Sequence, residues 1–342
     1  IGKFIYVYAL LSVVAILALI GVSIFERDLR SETSRIREEY HKRLERIDAR
    51  FKERFSLRGG RESGEWEVVF LPVGVVFCGG VAALVYGLWR LFRGKELLSH
   101  NQKRGGSPPW RADAGLRLLI LFFFSSSFVQ FLMVIFSFFS GSSIYSVTEH
   151  LVAEVLAKTI LFGLALSLFA KEYNASRENL GLTVDGKCVA YSFFLFFFSF
   201  FPVLLLSLGW SSLVQRLGGE IEANPAVYIL LAASDGRLGM HAFYLTLALA
   251  VLVAPFAEEF IFRTILFSAF RSHFRFLPSA VFSSLVFAAL HPTVAGFAPL
   301  LLLSLFLCYL YERTSSLFSV ALMHSVHNAF QIAVVVLVYR SV

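Results

Sequence analysis

The chain has 342 residues, 57% of them hydrophobic and 16% charged, with 38 Phe and a mean hydropathy of +0.70. A soluble domain is about 45–50% apolar and about 25% charged, so a soluble enzyme, a disordered chain and a fibrous chain are excluded. In so apolar a chain the formal net charge of +7 reports loop topology and lipid contact, not nucleic acid. An all-α, polytopic helical membrane protein is the class that fits.

The first apolar stretch, 4–25, is long enough to span a bilayer. No small-x-small site closes it cleanly, so a retained anchor is expected instead of a signal peptide. Residues 26–66 then carry 12 Lys/Arg and 10 Asp/Glu. Leu29, Ile36, Tyr40, Leu44, Ile47, Phe51 and Phe55 recur on one helical stripe. This segment reads as a charged extramembrane helix. It offers a possible surface for a helical partner, for self-association or for the membrane. Eight more spans follow at 67–92, 117–140, 153–170, 189–209, 240–262, 277–291, 297–311 and 316–339. The expected total is thus about eight to nine transmembrane helices. The basic loop 93–116, with Gly105-Gly106-Ser107-Pro108-Pro109, reads as a flexible connection. The span at 277–291 is short and ends at His291-Pro292, so it is expected to stop inside the membrane. Pro255 within 240–262 permits a kink and frees backbone carbonyls nearby.

Alternate loops group together on the two sides. With the N-terminus inside and 26–66 set aside, fifteen Lys/Arg fall inside, against Arg216, Arg237 and Arg340 outside. The 12 basic residues of 26–66 would level that count. The preference for an inside N-terminus rests on most of them being matched by acids along one helix. Cys78, Cys188 and Cys308 are scattered and suggest neither a disulfide framework nor a metal knuckle. The Asn174-Ala175-Ser176 sequon is discounted because it is expected inside.

A charge in hydrocarbon costs about 2.5–3.5 kcal/mol on insertion scales, so each intramembrane ionisable group needs a reason. None of the five Asp lies in an apolar run, which argues against an aspartyl protease. The acids that do are Glu258 and Glu259, with Glu154 at a span edge. Arg263 follows Glu259 by four residues and so shares its helix face, which makes an ion pair natural there. Glu258 points about 100° away and keeps no local partner. Burial without a counter-ion is the setting in which a carboxyl group serves as a general base near neutral pH. His291 ends the short span. His324 and Asn328 share a face of the last span, Gln331 continues it, and His327 competes with His324 as the functional histidine. A carboxylate, two imidazoles and an amide on three apolar helices suit hydrolysis. They offer a base for water, a group to orient it and donors for an oxyanion.

Glu258-Glu259-x-x-x-Arg263, Phe287-x-x-x-His291 and His324-x-x-x-Asn328 resemble the signature of the CPBP family, the CAAX-protease-like or Abi intramembrane endopeptidases. The resemblance covers roughly 150–342 as a CAAX-protease-like core bundle. It leaves 1–66 as an anchor plus charged helix and 67–149 as additional transmembrane helices. It implies intramembrane peptide-bond hydrolysis in which Glu258 activates the water and His291 helps to hold it. His324 and Asn328 would stabilise the oxyanion, with Glu259, Arg263 and Phe287 in support. It implies no metal and no cofactor. The substrate would be a lipidated or membrane-associated protein or peptide, of the CAAX type or in bacterial peptide or sorting-signal processing. The expected location is a prokaryotic cell membrane, with membrane lipids as partners. Two other readings stay open: a zinc-dependent peptidase of the same fold, with one Glu and two His as ligands, and a non-catalytic membrane scaffold or transporter.

Overall fold

The computed structural model describes residues 73–99, 148–184, 186–219, 226–291 and 293–339. It adds the backbone of 65–72, 147, 225 and 340, and the positions 38, 39, 42, 108–110, 114, 118, 120 and 221. Among the described residues there is no strand. Eight helices succeed one another among the described residues: α1 Glu65–Phe92, α2 Val147–Glu172, α3 Gly186–Arg216, α4 Pro225–Ser234, α5 Met240–Arg271, α6 Phe276–Ala289, α7 Val294–Thr314 and α8 Leu317–Arg340. Six of them (α1, α2, α3, α5, α7 and α8) are long and apolar enough to cross a membrane, and α6 is a shorter apolar helix. The chain is an integral, multi-pass, all-α membrane protein. The expected spans at 4–25 and 117–140 and the charged helix at 26–66 lie outside the described residues, apart from isolated positions.

Two polar collars bound the bundle. At one end Arg313 grips Glu96 at 2.5 and 2.8 Å, Arg271 meets Glu312 at 3.0 Å, and the Leu98 amide donates to the Tyr309 hydroxyl. At the other end Arg237 forks onto Glu39 at 2.5 and 2.7 Å, and Tyr339 donates to Asp235 at 2.6 Å. The helices between are apolar on nearly every face, as lipid requires. Glu154 near the start of α2 is paired with Lys158 one turn on.

Small residues set how closely the helices approach. Gly79, Gly80 and Gly87 of α1 lie against the phenylalanines of α3. A Cβ at Gly87 would stand 2.4 Å from the Phe198 ring, so glycine there admits an aromatic ring where lipid gives no hydrophobic drive for association. The turn from α7 to α8 needs only Ser315 and Ser316, because Ser315 takes the left-handed conformation (φ 48°). This sets α8 antiparallel to α7.

The loop 93–116 is not the plain connection its composition suggests. Leu98 and Trp110 are core residues, and the Trp110 indole N–H donates to the Ile265 carbonyl of α5 at 3.2 Å. The Trp110 ring also meets Phe169 and Tyr173 edge-on. Glycine, proline and charge dominate the local composition and conceal one large apolar anchor.

Two features place the site. First, α5 is one rod of 32 residues, about 48 Å at 1.5 Å per residue, so it runs well past the expected end at 262. Two segments of wider π-helical winding interrupt it, Leu249–Val253 and Phe260–Phe267. They flank the turn Ala254–Glu259 that carries the glutamate pair. Second, α6 has only 14 residues, about 21 Å, short of the ~30 Å hydrocarbon core. It is therefore too short to cross on its own, and His291 stands just past its C-terminal end.

Candidate active site

The first π segment follows from Pro255. With the wider winding, the Ala254 N–H donates five residues back to Leu249. The next donor in that register would be residue 255, and proline has none. The Ala250 carbonyl is thereby released, and the Asn328 amide nitrogen donates to it from α8 at 2.9 Å. Asn328 is thus fixed by a gap in the hydrogen-bond ladder of the facing helix.

One turn further along α5, Glu259 and Arg263 are both fully enclosed. Arg263 Nη1 donates to Glu259 Oε1 at 2.9 Å. The same oxygen lies 2.8 Å from His324 Nδ1. An ion-paired carboxylate can only accept, so His324 carries its proton on Nδ1 and its Nε2 is the free nitrogen. The Arg263 guanidinium stands over the Phe287 ring, 4.5 Å from its centroid. Phe287 in turn meets His291 at 4.6 Å and His324 at 5.9 Å between ring centroids. One ring therefore packs beside both histidines and under the arginine.

His291 Nδ1 donates to the Phe287 carbonyl at 2.8 Å. A carbonyl also only accepts, so this ring too presents a bare Nε2. Glu258 is half-buried and, among the described residues, makes no hydrogen bond or ion pair. It sits between the enclosed pair of Glu259 and Arg263 and the released turn around Pro255. The arrangement offers an uncommitted carboxylate, two imidazoles with free Nε2 atoms and an anchored carboxamide. These are the groups that activate water and polarise a carbonyl.

The structure thus brings Glu259, Arg263, Phe287, His291 and His324 into one continuous cluster, with Glu258 as the neighbour of Glu259 and Asn328 one turn beyond His324. It places His327 elsewhere. That ring is buried beside Phe196 of α3 and bonds Gln331 at 2.7 Å, so it faces away from Glu259. Several participants carry no motif. Ser304 of α7 accepts from Arg263 Nη2 at 2.8 Å, and Ser283 of α6 donates to the Phe262 carbonyl of the second π segment at 3.0 Å. A run of small hydroxyl residues on an apolar helix, such as Ser279, Ser283 and Ser284, is the signal that finds residues of this kind.

Residues 240–330 match the family model described as type II CAAX prenyl endopeptidase Rce1-like. Over this segment the chain is similar to the CAAX-protease-like family. The match runs from the start of α5 into α8 and contains all three motif segments. It lies inside the 150–342 core expected from the sequence and is shorter than it. No curated protein matches the chain, and no solved structure does. The Rce1-like segment marks a membrane protease family, and α1 to α4 flank its N-terminal side.

Proposed function

We propose that this protein hydrolyses peptide bonds within the membrane by glutamate-activated water. The substrate class is a lipidated or membrane-associated protein or peptide, consistent with the prenyl-protein endopeptidases for which the matched family model is named. The observation that carries the reading is the presence of two imidazoles, each locked by an acceptor-only partner, beside a glutamate pair whose first member, Glu258, has no partner among the described residues.

In this reading Glu258 removes a proton from a water molecule that His291 Nε2 helps to hold. The hydroxide attacks the carbonyl carbon, and the carbonyl oxygen takes up negative charge. The second Asn328 amide hydrogen donates to that oxygen, the first being committed to Ala250. His324 donates through Nε2 when its ring carries both protons, with Glu259 as its counter-ion. Glu258 then passes its proton to the departing amine, so no proton is gained or lost over the cycle.

A zinc-dependent variant needs three ligands within reach of one point. Among the described residues no group of three His, Cys, Asp or Glu is so arranged, so no step is routed through a metal. The test is a comparison of C-terminal and membrane-proximal cleavage products in cells expressing the wild type or Glu258→Ala. Products present only with the wild type support the reading. Identical product sets in both would favour a scaffold or transporter instead.

A further inference from the structure

Arginine and carboxylate side chains favour a bidentate fork, with two parallel N–H···O bonds. The Arg263–Glu259 pair departs from it. Only Nη1 and Oε1 are joined, while Arg263 Nε and Glu259 Oε2 are both buried and unpartnered among the described residues. An enclosed pair that leaves one donor and one acceptor empty is held there by something else. Two restraints are visible. The Phe287 ring lies under the guanidinium, and the Ser304 hydroxyl accepts from Nη2. Ser304 is itself fully enclosed on α7, 41 residues from Arg263 in sequence.

The consequence falls on His324. With the guanidinium held by Ser304, Glu259 Oε1 is shared between Arg263 and His324 Nδ1. Released, the guanidinium can turn so that Nε and one Nη meet both carboxylate oxygens, filling the two empty positions. That rotation draws the carboxylate away from the imidazole.

We propose that Ser304 is a positioning residue. By holding Arg263 in a single-contact pose, it keeps Glu259 turned towards His324 and so fixes which ring nitrogen of His324 faces the substrate. The chain Ser304–Arg263–Glu259–His324 crosses three helices, α7, α5 and α8, and none of its links needs solvent. The proposal rests on the hydrolytic reading for its catalytic consequence, but its structural content stands apart from that reading.

The test uses full-length protein in lipid nanodiscs, with ¹⁵N-labelled histidine. The His324 signals are assigned by their loss in His324→Gln. Wild type is expected to show His324 protonated on Nδ1 and bare on Nε2. Ser304→Ala is expected to show a mixture of the two tautomers, and Ser304→Thr, which keeps the hydroxyl, the wild-type pattern. Turnover of a quenched peptide ending in farnesyl-cysteine and three further residues is followed in parallel. Ser304→Ala should lower kcat about tenfold with KM changed less than about twofold, as expected of an interaction made only in the transition state. Ser304→Thr should recover both. A His324 tautomer unaltered by Ser304→Ala, or a wild-type His324 bare on Nδ1, overturns the proposal. Expected spectra from a wild-type protein that cleaves neither this peptide nor its unprenylated twin would uphold the positioning and overturn the hydrolytic reading instead.

Discussion

Removing the arginine from the centre of the site has a calculable consequence. Arg263 is fully enclosed, and it is the cation paired with the equally enclosed Glu259. Arg263→Met keeps the volume and the contact with Phe287 but leaves a buried carboxylate without its counter-ion. Breaking a buried pair from one side costs about 3–5 kcal/mol. The double variant Arg263→Met/Glu259→Gln removes both charges, and neutral replacement of a buried pair is often close to neutral for stability. The double variant should therefore be more stable than the single one by roughly 3–5 kcal/mol. Reversible unfolding in mixed micelles, read as a double-mutant cycle, measures this. A single variant as stable as wild type, or a double variant no better than the single, would refute the view that this ion pair organises the site.

The two adjacent glutamates should separate cleanly. Glu258→Gln is expected to abolish cleavage while shifting stability by less than about 0.5 kcal/mol, since Glu258 is half-buried and, among the described residues, unpartnered. Glu259→Gln strands Arg263 and should destabilise on the order of 3 kcal/mol. Asn328→Ala exposes the gap left by Pro255, and unpairing the Ala250 carbonyl should cost about 1–3 kcal/mol as well as lowering kcat. Trp110→Phe keeps an aromatic ring in place but loses the bond to Ile265; thermal unfolding should show a loss of about 1 kcal/mol.

Much of this site can be read from the chain, and the reasons are local. Glu259 and Arg263 are four residues apart, so helical spacing puts them on one face, and the wider winding of Phe260–Phe267 keeps them in contact. The early end of α6 follows from the short apolar run before His291-Pro292. The long extent of α5 is hinted at only by the need for Glu258, His291 and His324 to meet at one depth. What sequence could not supply is the choice between His324 and His327. That choice depends on how α8 is rotated about its own axis, which packing against α3 and α5 decides. The Ala250–Asn328 bond was half-legible: Pro255 announces free carbonyls, but which amide fills the gap is a tertiary matter. Ser304 and Trp110 were hidden for a different reason. A serine in an apolar helix and a tryptophan in a basic loop have many ordinary roles, and only the burial of Arg263 and the widened turn at Ile265 give these two a particular one.

The central claim is that Glu258, supported by two histidines with fixed tautomers, activates water against a peptide bond inside the membrane. Purified protein in nanodiscs, treated with a strong chelator and given the farnesylated reporter, tests it most directly. The expected result is full cleavage by the wild type after chelation and none by a Glu258→Gln variant whose unfolding midpoint matches wild type. Loss of wild-type activity on chelation with recovery on adding zinc, or undiminished cleavage by Glu258→Gln, would contradict it.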